Sequence, residues 1–207
     1  MIADGLARLA RGEVLSDDWS RQVYSVDASH YEMLPAAVVR PRDAGDVQEI
    51  CRYAFSKKVP VTGRGAGTGL LGQSLSEGIV LDFARHMDRV LEVGNYHVRV
   101  EPGIVKGVLD KELKKKNKFL PPDPASSNYC TIGGMIADNS SGVHCLSYGN
   151  TIDFVEELDL VYADGAAGHA SRDRFDARMA RLKALLGPHA GLIQNQLPEG
   201  EQELVRL

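Results

Sequence analysis

No apolar run in the chain approaches the ~20 residues that a membrane-crossing helix needs. Cysteine is sparse. Cys51, Cys130 and Cys145 have no C-x-x-C spacing and an odd count, which argues against a disulfide framework and gives no zinc or iron–sulfur pattern. Positive charge is not in excess, with 24 Lys+Arg against 28 Asp+Glu and a net charge of −4, so nucleic acid is not an expected partner. His30, His86, His97, His144, His169 and His189 form no H-x-x-x-H or H-E-x-x-H, and no metal ligand is assigned. No serine sits in a G-x-S-x-G elbow, which leaves nucleophilic hydrolysis without support. The N-terminus, MIADGLARLARGEV, has an early acid and no apolar core, so a secretion signal is not expected. Together these features point to a reducing, cytoplasmic setting. The 207 residues, 43% hydrophobic and 25% charged, suit a soluble chain of one domain or two small ones.

What the chain does have is glycine in one place. Residues 59 to 83 read VPVTGRGAGTGLLGQSLSEGIVLDF. Apolar runs at Val59–Val61 and Ile79–Leu81 predict two short buried strands. Between them Gly63, Gly65, Gly67, Gly69 and Gly72 let the backbone take positive φ and lie close to a ligand. Successive N–H groups in such a loop form a nest for an anion such as a diphosphate. Arg64, the loop's charged side chain, is placed to help neutralise it. Gly67 to Gly72 spells G-x-G-x-x-G, and Gly67 to Ser74 reads G-x-x-x-x-G-Q-S. Both the nicotinamide fingerprint and the P-loop need a helix after the glycines. The next strand starts near Gly78, which leaves no room for one, and Gln73 replaces the P-loop lysine. A loop joining two strands and lining a flavin diphosphate remains, as does a plain flexible surface loop.

Elsewhere the elements are shorter and more ordinary. Ile2–Arg11 is a short amphipathic helix, and Ser16-Asp17-Asp18 caps a second turn. Val23–Tyr31 has no period. Ala36–Val39 is a strand, and Asp43 caps a helix to about Lys57. Arg89–Val93 and His97–Val100 form a hairpin about Gly94-Asn95. A helix runs from Ile104 to about Lys116, its lysine-rich end solvated. Residues 121–142, PPDPASSNYCTIGGMIADNSSG, are an extended entry and then a Gly133-Gly134 loop. That loop enters a short helix at Met135–Ala137, whose first N–H groups point at a ligand. Phe154–Ala163 is a strand closed by Asp164-Gly165, and Arg172–Leu186 is a helix. His144 and Cys145 adjoin the glycine-containing segment without an assigned role, and Asp82 and Asp88 fit a loop and strand edge better than a catalytic pair.

Five segments in this order resemble the FAD-binding domain of the vanillyl-alcohol oxidase (PCMH) type. They are VVRPRDAGDVQEICRYA, VPVTGRGAGTGLLGQ, VRVEPG, PPDPASSNYCTIGGMIADNSSG and LDLVYADG, spread over roughly Asp27 to Gly165. Within that superfamily the chain looks most like D-2-hydroxyacid dehydrogenases, among them D-lactate dehydrogenases and the FAD subunit of glycolate oxidase. The NSSG at Asn139–Gly142 is similar to that of long members carrying iron–sulfur domains further along.

The resemblance implies an α+β fold. It has an N-terminal helical segment (1–26), a small first α/β lobe (27–103), and a second lobe with a mixed sheet and helices (104–207), with FAD between the lobes. The diphosphate would lie on Thr62, Gly63, Arg64, Gly65, Ala66, Gly67, Thr68 and Gly69, with Gly72 and Gln73 close by. Pro122, Asp123, Thr131, Gly133, Gly134, Ala137, Asn139, Ser140 and Gly142 would run along the ribityl and flavin. Tyr148, Gly149 and Val155 would face the ribose and adenine. Thr68 stands where some relatives attach FAD through histidine, so non-covalent FAD is expected, and Cys130 is expected to be a small packed residue. The family continues into a cap domain that carries the catalytic or metal-binding histidines and substrate-gripping arginines. The chain is therefore expected to bind FAD without oxidising a D-2-hydroxyacid alone, and no catalytic residue is assigned within it. A partner subunit or iron–sulfur domain, and a peripheral place at the inner membrane, are implied for the complete enzyme. The alternatives are a reductase of an enolpyruvyl sugar nucleotide (UDP-N-acetylenolpyruvylglucosamine) with the same fold, and a non-catalytic binding module.

Overall fold

The computed structural model describes residues 2–171. Helix α1 (Ile2–Leu9) leads to strand β1 (Glu13–Leu15), helix α2 (Asp18–Val23) and strand β2 (Ala37–Arg40). Helix α3 (Ala44–Lys57) and strands β3 (Val61–Arg64) and β4 (Ile79–Asp82) come after them. Next are strands β5 (Val90–Val93) and β6 (Val98–Val100) and helices α4 (Lys106–Lys114), α5 (Ile132–Asp138) and α6 (Cys145–Tyr148). A 3₁₀ turn (Thr151–Phe154) precedes strands β7 (Glu157–Val161) and β8 (Ala167–Ser171). The expected helix at Arg172–Leu186 lies outside the described residues.

The first sheet has the order β1-β2-β4-β3, with β1 antiparallel to β2 and the other pairs parallel. Its central strands are nearly continuous Val, Ile and Leu, as suits strands buried on both faces. Helix α3 covers it because Val47, Ile50, Cys51 and Ala54 recur on one face. Asp43 caps that helix, accepting from Asp46 N, as its position in the sequence predicts. The α3 helix is followed by Lys58 in the left-handed region (φ 55°).

A second apolar cluster gathers Ile104, Leu109, Leu113, Cys130, Ile132 and Met135. The β5–β6 hairpin packs on it through Val90, Val93, Val98 and Val100. Met1–Val155 with Val161–Ala167 form one compact unit that contains both clusters. Among the described residues, Glu156–Leu160 and Gly168–Ser171 belong to another, which holds most of the β7–β8 pair, with His169 Nδ1 3.0 Å from Asp159 Oδ1.

Glu101 closes the base of the hairpin. Its carboxylate accepts from Arg89 N (2.9 Å), Nε (3.1 Å) and Nη2 (2.8 Å). The Arg89 hydrogen bonds hold the Glu101 carboxyl below the usual carboxylate range. A depressed folded value means the contribution is complete above the unfolded value of about 4.3. It is lost as pH falls through the lower folded value. Glu101→Gln is expected to flatten the acid limb of the stability-against-pH curve. Denaturant melts across the acid range read this directly, and identical acid limbs for the two proteins contradict it.

Candidate functional site

Strand β3 ends at Arg64, and the chain returns to β4 through residues 65–78 without a helix. Gly67 (φ 66°) and Gly72 (φ 72°) lie in the left-handed region, which explains glycine there. Gly65 needs glycine for another reason: a Cβ there would stand 2.0 Å from Thr131 Oγ1. Among the described residues, the amide N–H groups of Ala66, Gly67, Thr68, Gly69 and Leu70 find no internal acceptor. These residues are exposed or half-buried, so the amides are open to solvent or a ligand. A run of them on a loop rich in glycine is a ready donor set for phosphate oxygens.

The loop is held from outside. Ala28 N donates to Gly67 O (2.9 Å), and Ser74 Oγ donates to Asp27 Oδ2 (2.8 Å). Asp27 resists protonation: burial opposes this, but the hydrogen bonds from Ser29 and Ser74 keep its carboxyl below the usual range. Gln73 uses its side chain on protein, accepting from Leu71 N (3.1 Å) and donating to Asp138 Oδ1 (3.0 Å) on the facing helix. Arg64 is tied to the N-terminal segment. Its Nη2 donates to Val26 O (2.8 Å), and its guanidinium lies 5.4 Å from the centre of the Tyr24 ring. Those contacts fix one edge of the guanidinium to the N-terminal segment, while the side chain also borders the crevice described below.

The facing wall is α5. Thr131 caps it, and the helix starts at Ile132, so Gly133 and Gly134 sit in its first turn and not in a loop before it. Its first N–H groups are already engaged. Ile132 N donates to Ile104 O, Gly133 N to Pro102 O (2.8 Å) and Met135 N to Thr131 O. Gly134 N reaches Thr131 Oγ1 at 3.4 Å. The expectation that these amides point at a ligand is therefore corrected: the bare amides lie on the Gly-rich loop. Gly133 is needed for packing, since a Cβ would meet Pro102 Cβ at 2.7 Å.

Between loop and helix lies a crevice of about 200 Å³. It brings together Gly63, Arg64, Gly65, Thr131, Gly133, Gly134 and Ala137, all singled out from sequence. Phe83 and Pro102 also line it; sequence reasoning misses both, although Phe83 directly follows a strand end and Pro102 precedes a glycine. Thr62 belongs to β3, one residue before the lining.

The remaining expected residues lie elsewhere. Asn139 (φ 47°) ends α5, and its Oδ1 accepts from Ile152 N (2.9 Å). Ser140 O accepts from Thr151 Oγ1 (2.6 Å). These groups brace the 3₁₀ turn that leads to Val155. Gly142 passes under the 121–124 segment, where a Cβ would stand 1.9 Å from Asp123 O. Pro122 is buried. Gly149 takes φ 90°. Asp123 and Tyr148 line a second, wider cavity of about 550 Å³ with His144 and α4 residues, outside the crevice. Cys130 is 6% exposed in the second cluster, and burial pushes its thiol up, as befits a packed residue. Among the described residues no group of His, Cys, Asp or Glu is arranged to hold a metal, and no helix is long and apolar enough to cross a membrane.

The residues present fit the chemistry of FAD: a loop with unpaired amides suited to phosphate oxygens, next to a crevice walled mostly by small residues. None of Ala66–Leu70 lines that crevice. Comparison with known proteins gives the cofactor class independently of these residues. A model of the FAD binding domain family matches residues 35–171. The chain is 41% identical over 165 residues to a D-2-hydroxyglutarate dehydrogenase of Pseudomonas putida, covering 77% of this chain and 16% of that one. It is 38% identical over 149 residues to the glycolate oxidase subunit GlcD of Bacillus subtilis, covering 70% of this chain and 32% of that one. The chain thus spans about a sixth to a third of the length of these relatives. The solved structure of an alkyldihydroxyacetonephosphate synthase superposes with a TM-score of 0.74 over 87% of this chain and 36% of that one; at 21% identity this shows the fold.

Proposed function

The chain belongs to the FAD binding domain family, and from that premise we propose that it is the cofactor-holding part of a dehydrogenase for D-2-hydroxyacids. FAD is the cofactor. The observation that carries the reading is the row of unpaired amides, Ala66 to Leu70, on the loop that directly follows the crevice-lining Gly63–Gly65. FAD, when bound, supplies the hydride acceptor. The chain's own work is to hold and orient it. The loop amides donate to the diphosphate, and Gly63, Gly65, Gly133, Gly134 and Ala137 keep the walls low enough for close approach. Pro122, Asp123, Asn139, Ser140, Gly142, Tyr148, Gly149 and Val155 belong to the same proposal as the path of the rest of the cofactor. Attachment is non-covalent, since the loop carries neither His nor Cys and Cys130 is buried.

The hydroxyacid class rests on the relatives' names, D-2-hydroxyglutarate dehydrogenase and glycolate oxidase subunit. Substrate-binding groups belong, in this reading, to a polypeptide beyond the matched region. The word subunit in one relative's name supports a partner chain. The division into lobes near Gly103 is part of the proposal, with the hairpin that packs on the second cluster sitting at the join.

Purified chain titrated with FAD is expected to quench flavin fluorescence, and heat is expected to release the flavin unmodified. Folded protein that takes up no FAD contradicts the reading. Flavin that stays with the denatured chain contradicts non-covalent attachment.

A further inference from the structure

We propose that the segment Tyr24–Ala28 is a brace that positions the Gly-rich loop for the cofactor, with Arg64 as its key positioning residue. The inference rests on the reading of the crevice as an FAD site, but the brace is visible without any ligand.

The Arg64 guanidinium meets two neighbours. Its Cζ lies 5.4 Å from the centroid of the Tyr24 ring, and a Cβ on Gly67 would stand 2.6 Å from its Nη2. A planar guanidinium stacks on a ring while its N–H groups donate sideways, which a lysine ammonium cannot do. Its Nη2 donates to Val26 O. Two further ties cross from the same segment to the loop, Ala28 N to Gly67 O and Ser74 Oγ to Asp27 Oδ2. Tyr24 is itself fixed to the sheet. Its hydroxyl donates to Asp82 Oδ2 at the end of β4, and Arg40 Nη2 on β2 donates to the Tyr24 oxygen at 3.0 Å. Burial and the Asp82 hydrogen bond keep the phenol protonated. A continuous set of contacts therefore runs from the ends of β2 and β4, through a stretch with no regular structure, to the middle of the loop.

The physical consequence is preorganisation. A loop with this much glycine has high conformational freedom, and ordering it on binding would weaken affinity. The brace orders it beforehand. Positioning and charge neutralisation predict different results for Arg64→Lys, which keeps the charge and loses the plane. Positioning predicts roughly tenfold weaker FAD binding. It also predicts the salt dependence of the wild type and an unchanged melting temperature. Asp27→Asn, outside the loop, should weaken binding severalfold in the same way. In the chain without FAD, amide hydrogen exchange in residues 65–72 should accelerate in both variants while β2 and β4 stay protected. Wild-type affinity in Arg64→Lys, or exchange in the loop that neither variant changes, overturns the brace. If the wild-type chain itself takes up no FAD, the site reading fails, and the exchange measurement still decides whether the brace exists.

Discussion

Gly65→Ala is expected to remove FAD binding from a chain that still folds. Gly65 does not have the positive φ that penalises a side chain, so alanine suits its backbone and the effect is steric. The new methyl would meet Thr131 Oγ1 at 2.0 Å, Cβ at 3.0 Å and Cγ2 at 3.1 Å. Thr131 has little freedom to give way. It is 2% exposed, β-branched, and caps α5. Rotating it sacrifices the cap, at about 1 kcal/mol, and otherwise the walls must part. Overpacking of this kind costs roughly 1–3 kcal/mol. Displacing the loop main chain at Gly65 misaligns the amides that follow it; with each contact to the anion worth roughly 1.5–3 kcal/mol, two lost contacts amount to about a hundredfold or more in affinity. Adding Thr131→Ala to Gly65→Ala takes away the colliding atoms and should recover part of the loss. FAD titrations of the two single variants and the double form a cycle. Strictly additive losses contradict the account.

The largest effect on stability is expected at Asp46. It is 1% exposed, and its carboxylate accepts from three backbone amides, Arg11 N (3.0 Å), Gly12 N (2.9 Å) and Arg42 N (3.1 Å). These amides belong to the turn before β1 and the turn before α3, so one side chain fastens two connections. Asp46→Ala leaves the three donors without their acceptor. Their desolvation costs combine to roughly 3–5 kcal/mol, a fall of about 10–15 °C in melting temperature for a chain of this size. Asp46→Asn keeps one acceptor oxygen and should fall between. Thermal melts by circular dichroism decide it, and a shift under about 2 °C in Asp46→Ala, below what even 1 kcal/mol produces, contradicts the account.

The parts of the fold that are legible in the sequence are those where local chemistry and tertiary structure agree. Asp43 caps α3 as its position predicts, Asp17 caps α2, and Gly94-Asn95 turns the hairpin. The rejection of both helix-requiring phosphate motifs stands, because β4 comes after the loop with no helix between. Asp46 is illegible because its partners are main-chain groups more than 30 residues away, on Arg11 and Gly12. The start of α5 is hidden for a different reason. Two glycines weaken a helix by about 1 kcal/mol each, so sequence favours a loop at Gly133-Gly134. The Thr131 cap and the close pass of Pro102 override that preference. The ties of Arg64 to Val26 and Tyr24 are illegible for the same reason as those of Asp46, since Val26 lies 38 residues away in the chain. Val23–Tyr31 reads as empty because its work is done by the Tyr24 side chain, the Val26 carbonyl, the Asp27 carboxylate and the Ala28 amide, a mixture that leaves no periodic trace.

The central claim is that the main-chain amides of the Gly-rich loop hold the diphosphate. Amide resonances of the labelled chain, tracked through a titration with FAD, test it most directly. The account predicts large downfield proton shifts for Ala66 through Leu70, with smaller changes at Gly133 and Gly134, whose N–H groups are already committed. Shifts confined to the α5 amides, with Ala66–Leu70 unmoved at saturation, would contradict it.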